Sequence, residues 1–144
     1  MSTEENKASL RRVYEEAINR GNMAVVDELV GPDYIEHDPG YPQPVRGPEG
    51  LKQYFMVFRT AFPDLHLAIE DMVGEGDRIA VRHTARGTHQ GDLLGTPPTG
   101  KQLTVTGMTF HKFVNGKLVE TWVNADTLGL LQQLGVVPAP GQSS

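Results

Sequence analysis

Apolar residues recur at helical spacing three times in the first half of the chain, and at every second position through much of the second half. Leu10, Val13, Tyr14, Ala17 and Ile18 fall on one face of a helix over residues 2–20. Ser2 and Glu5 have the spacing of a capping box at its start, and Gly21 suits its end. Asn22 opens a second short helix carrying Val25, Val26, Leu29 and Val30 up to the Gly31-Pro32 break. Tyr34 to His37 reads as a short strand, and residues 38–47, with three prolines and two glycines, as a loop. Pro48 begins a third helix whose stripe is Leu51, Tyr54, Phe55, Phe58 and Phe62, stopped by Pro63.

Beyond residue 64 the period drops to two. Leu65, Leu67 and Ile69 alternate, then Ile79 to Ala85, then Leu103 to Phe113, then Lys117 to Ala125. Gly74 to Asp77 and Asn115-Gly116 are short turns, which join antiparallel neighbours, whereas residues 91–102 form a longer surface loop. Asp126 caps a last helix, Thr127 to Leu134, and residues 138–144 read as a disordered tail. Helices followed by an antiparallel sheet predict an α+β domain over residues 1–137, with the helices covering one face of the sheet.

Composition narrows the function. The chain has 144 residues, a formal charge of −5 and no cysteine. A net negative charge offers no field for nucleic acid or an anionic membrane surface. Without cysteine there are no disulfides and no thiol nucleophiles. The polar N-terminus carries no signal or membrane-spanning run, which predicts a cytoplasmic protein. Serines stand only at 2, 9, 143 and 144, none on a turn that could present a nucleophile. No histidine pair has metal-ligand spacing, so neither metal nor cofactor is expected.

Seven segments in order carry a resemblance: 34–39 (YIEHDP), 46–50 (RGPEG), 62–65 (FPDL), 87–91 (GTHQG), 97–100 (PPTG), 113–118 (FVNGKL) and 132–135 (QQLG). Together they resemble the SnoaL-like polyketide cyclases of the nuclear-transport-factor-2-like superfamily. The resemblance implies a cone-shaped barrel of a curved antiparallel sheet, with three N-terminal helices over its concave face. It also implies a deep pocket for a small, mostly apolar molecule and a homodimer through the sheet. Cyclases of the family close a ring by an aldol step with an aspartate on the last strand, supported by a glutamine and a histidine on its neighbour. Carried over on the shared Phe-Val-Asn-Gly-Lys turn, those positions are Val123, Gly107 and Thr109. A valine moves no proton, so any acid/base chemistry here must use other groups. Cyclisation or isomerisation without that aspartate, and ligand binding without catalysis, are the two readings.

The histidines are the obvious acid/base candidates: His111 pointing inward, His37 beside Asp38, and His89 before the long loop, where it could instead pin that loop. His83 lies about 20 Å from His89 along an extended strand, too far to share its site, and His66 alternates to the solvent side. The last hairpin has two open registers. A two-residue turn pairs Gly107 with Asn124 and Thr109 with Trp122; a three-residue loop pairs Gly107 with Val123 and Thr109 with Thr121. The resemblance favours the second, which turns Gly107, Thr109, His111, Val119, Thr121 and Val123 toward the pocket. Met108, Phe110, Leu118 and Trp122 then form an outer apolar patch suited to a dimer. Tyr54 and Phe58 complete the expected ligand contacts, as core aromatics of the third helix.

Overall fold

The computed structural model describes residues 2–138, 140 and 141; of the tail expected to be disordered, residues 139 and 142–144 lie outside that set. The elements are α1 (Thr3–Arg12), a π-helical continuation (Val13–Ile18), α2 (Ala24–Leu29), β1 (Val30–His37), β2 (Val45–Arg46) and α3 (Gly47–Ala61), then β3 (His66–Glu75), β4 (Arg78–Thr88), β5 (Gln102–Val114), β6 (Lys117–Ala125) and α4 (Thr127–Leu134). This is an α+β cone: one curved six-stranded sheet in the order β2-β1-β6-β5-β4-β3, with α1 to α3 over its concave side. No helix among the described residues is long and apolar enough to cross a membrane.

Local chemistry sets the element ends. Ser2 Oγ accepts the Glu5 N–H while Glu5 Oε1 accepts the Ser2 N–H, closing the capping box of α1. Asp126 Oδ1 accepts the Gly129 N–H and caps α4, and Gly135 ends it in the left-handed conformation. The expected first helix does run to residue 18, but its second half is wound to a π-helix in which the Asn19 N–H reaches the Tyr14 carbonyl. Tyr14, in the first turn of this stretch, faces the sheet and is 4% exposed.

Two strand expectations change. β1 is not a four-residue piece but begins at Val30, inside the stretch expected to be helical. It runs parallel to β6, pairing Glu36 with Thr121 and His37 with Trp122, so the sheet is antiparallel at every other pairing only. Pro32 is tolerated in β1 because the register breaks between Val30 and Ile35.

The β5–β6 hairpin follows neither register. Val114 pairs with Lys117 across a two-residue turn in which Asn115 and Gly116 have φ of 49° and 76°, the left-handed values that such a turn demands. The register then shifts by one residue at Val119, so that Lys112 faces Glu120, His111 faces Thr121, Thr109 faces Val123 and Gly107 faces Ala125. The bulge restores the alternation that the short turn would have inverted, and Thr109, His111, Thr121 and Val123 share the inner face. Leu118, ahead of the bulge, is 2% exposed and packs in the core instead of the outer patch.

Candidate active site

The cone encloses a cavity of about 210 Å³. α1 and α3 line it with Leu10, Leu51, Phe55 and Phe58, and the sheet with Leu67, Val105 and Val123. Its polar groups come from the adjacent strands β1, β6, β5 and β4, from Tyr14 and Tyr54, and from Asp38 and Thr127.

His111 sits on the inner face of β5, 3% exposed. Its Nδ1 is 2.8 Å from Thr121 Oγ1, and its Nε2 is 2.8 Å from Thr109 Oγ1 and 3.2 Å from Tyr14 Oη. Tyr14 Oη and Thr109 Oγ1 are 2.7 Å apart, so strands β5 and β6 and the π-helix are joined by one buried polar network. Burial, with the neighbouring His83 adding to it, pushes the His111 pKa down to about 3. The ring is therefore neutral in ordinary buffers and works as a hydrogen-bond relay, donating from one nitrogen and accepting at the other.

Glu36 is the group that the sequence reading passed over. It lies on the inner face of β1, opposite Thr121, and is 4% exposed. Tyr34 donates to its Oε1 at 2.6 Å. Burial raises its pKa to about 7 against the pull of the Tyr34 and Tyr54 hydroxyls, with the Asp38 charge adding to the rise. Just past the end of β1, Asp38 Oδ2 accepts from Tyr54 Oη at 2.6 Å. A carboxyl that titrates near neutrality in an apolar cavity can both take and give a proton. Alternation along Tyr34, Glu36 and Asp38 was readable; the parallel partner that buries this face was not.

The other expected site residues divide. Tyr54, Phe58, Thr109, Thr121 and Val123 line the cavity with His111. Gly107 does not reach its surface: a Cβ there would come 2.7 Å from the His83 ring, which lies over it. His37 points to the outer face, where it stacks on Trp122 with ring centroids 5.5 Å apart and meets Glu120 at 2.7 Å. The neighbour alternation that brings Glu36 in turns His37 out. His89 is fully buried but away from the cavity, where its Nδ1 accepts the Thr99 N–H at 3.2 Å and its backbone pairs with Lys101 and Gly100. It ties the neck of the long loop. No cluster of three or more metal-ligating side chains is found among the described residues.

The comparisons with known proteins agree on the family and the fold. The model of the SnoaL-like polyketide cyclase family matches residues 8–134. Aklanonic acid methyl ester cyclase DnrD from Streptomyces peucetius is 29% identical over 132 residues, 88% of each chain. AclR from Streptomyces galilaeus is 30% identical and superposes with a TM-score of 0.84 over 98% of this chain and 87% of its own. A SnoaL-like protein from Jannaschia sp. CCS1, 25% identical, superposes with a TM-score of 0.85 over 94% of this chain and 95% of its own.

Proposed function

This chain belongs to the SnoaL-like polyketide cyclase family, and from there we propose that it binds a small, mostly apolar molecule inside the cone and moves a proton on it with Glu36. The reaction class is cyclisation or isomerisation, in which the product has the mass of the substrate. One observation carries the reading: a carboxyl 4% exposed, held near pKa 7 at the wall of an apolar cavity. The family's aspartate position on the last strand is Val123 here, and Glu36 supplies a carboxyl from the strand alongside. His111, through Thr109, Thr121 and Tyr14, holds the wall in register, and Tyr54 and Phe58 pack on the ligand. A cavity of about 210 Å³ falls below the usual range for drug-sized ligands and suits a one- or two-ring substrate.

Outside the cone, cross-strand pairing aligns Val73, Ala80, Phe110, Trp122 and His37 in one row, with Met108 beside it 62% exposed. We place a homodimer contact there, in a cytoplasmic protein of one domain over residues 1–137. Binding without turnover is the second reading, favoured by His111 having both ring nitrogens engaged within the protein.

The test is incubation with one- and two-ring aryl β-keto esters that match the cavity, and with the larger aklanonic acid methyl ester, the compound for which DnrD is named. Products of unchanged mass are followed by liquid chromatography and mass spectrometry. Turnover that falls about a hundredfold or more in Glu36→Gln supports the proton-transfer role. Equal turnover in both proteins removes it, and tight binding with no turnover in either establishes the second reading.

A further inference from the structure

His83 is a buried polar group of the cavity wall without a hydrogen bond to any described residue. It stands on the inner face of β4, lines the cavity and is 7% exposed. Its Nδ1 is buried without a hydrogen-bond partner among the described residues, and burial alone lowers its pKa. Every neighbouring polar side chain is otherwise occupied: Tyr14, Thr109, Thr121 and His111 bond one another, Tyr34 bonds Glu36 and Tyr54 bonds Asp38. His89 also has an unpartnered nitrogen, but its other nitrogen is held by Thr99 and the ring lies away from the cavity.

The surroundings of His83 keep this ring in place. Gly107, directly across on β5, has no side chain to displace it, and Tyr14 meets it edge-on with centroids 6.4 Å apart. Around it the wall is cut back to Ala85, Ala125 and Val105, so that cavity space opens beside the ring. Nε2 has no hydrogen-bond partner among the described residues either, and unlike the inaccessible Nδ1 it keeps some open surface, so it is the nitrogen that a bound oxygen can meet, at a gain in free energy over leaving it unpaired.

We propose that His83 is the polar anchor of the ligand: its imidazole hydrogen-bonds an uncharged oxygen of the bound molecule, a hydroxyl, enol or carbonyl, while the aromatic and aliphatic walls take the rest. The class of ligand is then a flat, largely apolar compound with an oxygen substituent directed at β4. This rests on the cavity being the ligand site, and does not require that any reaction occur there. The lowered pKa keeps the ring uncharged at neutral pH, which suits a neutral oxygen better than a carboxylate.

Naphthalene and 2-naphthol, which differ by one hydroxyl, test it by titration into the full chain. In the wild type, the His83 ring nitrogens should shift in two-bond ¹H–¹⁵N spectra with 2-naphthol and stay in place with naphthalene. His83→Phe should weaken 2-naphthol about tenfold and leave naphthalene within about twofold, with partial recovery in His83→Gln. Equal losses for both probes, or a ring signal that ignores the hydroxyl, would overturn the anchor while leaving the cavity as the binding site. Failure of both naphthalenes to bind the wild type would overturn the cavity reading and the anchor with it. The wild-type spectra decide even where a variant fails to fold.

Discussion

Replacing Glu36 with glutamine keeps the shape of the side chain and removes its titration, and the pH dependence of stability reads the difference. In the folded protein the carboxyl is raised from 4.5 to about 7, so between these values the folded state holds a proton that the unfolded chain has released. Stability from this group is complete below pH 4.5 and is lost as pH rises through 7. At about 1.4 kcal/mol per pH unit, the loss between pH 5 and pH 8 is about 2 to 3 kcal/mol. His111 works in the opposite sense. Its pKa falls from 6.5 to about 3, so the unfolded chain takes up a proton below pH 6.5 that the folded protein refuses. Moving from pH 8 to pH 5 therefore costs about 2 kcal/mol at that site, and His83, lowered as well, adds in the same direction. The opposing slopes leave the wild type shallow over this range. Glu36→Gln exposes the imidazole slope: relative to the wild type, the variant gains about 2 to 3 kcal/mol of stability between pH 5 and pH 8. Urea unfolding followed by Trp122, the one tryptophan, measures both. A stability difference that is the same at pH 5 and pH 8 would refute the burial of an ionisable Glu36.

Two further outcomes follow from packing. Gly91 lies against the end of α3, where an added methyl would overlap the Thr60 carbonyl oxygen, and its N–H donates to Ala61. Gly91→Ala should cost about 3 kcal/mol in urea unfolding, whereas Gly95→Ala, with open space around it but a φ of 92°, should cost only about 1 kcal/mol. Trp122→Ala should weaken self-association by about tenfold in sedimentation at matched concentrations, and a wild type that is monomeric throughout would remove the outer-face contact.

Elements governed by neighbours in sequence were legible: the Ser2 cap, the α3 stripe and the Asp126 cap each depend on residues within a turn or two. Position in the sheet was less so. A one-residue bulge at Val119 depends on how β6 accommodates two neighbours at once, and no local pattern announces it. The candidate site followed the same division. Alternation left two registers for the hairpin, and it was the resemblance that turned His111, Thr109 and Thr121 inward, where the structure has them through a different pairing. Glu36 escaped notice because a charged residue in a short stretch beside a proline-rich loop reads as surface, and only pairing with a strand from the far end of the chain buries it. His83 was weighed against His89 alone, by distance along one strand, while its real companions come from the π-helix and β5.

The parallel pairing of β1 with β6 also sets when the site can exist. Glu36 and Thr121 are 121 − 36 = 85 positions apart, yet they are cross-strand partners. While the chain is being synthesised, the first 116 residues can form helices and the β3–β5 meander, but the cavity wall has a gap where the last strand belongs. Over that interval Glu36 lacks the strand that covers its flank in the finished fold. Its burial is complete only when β6 slots between β1 and β5, a long-range closure of the kind that slows folding. A chain that stops short of β6 therefore lacks the strand that flanks Glu36 and the wall that completes the cavity.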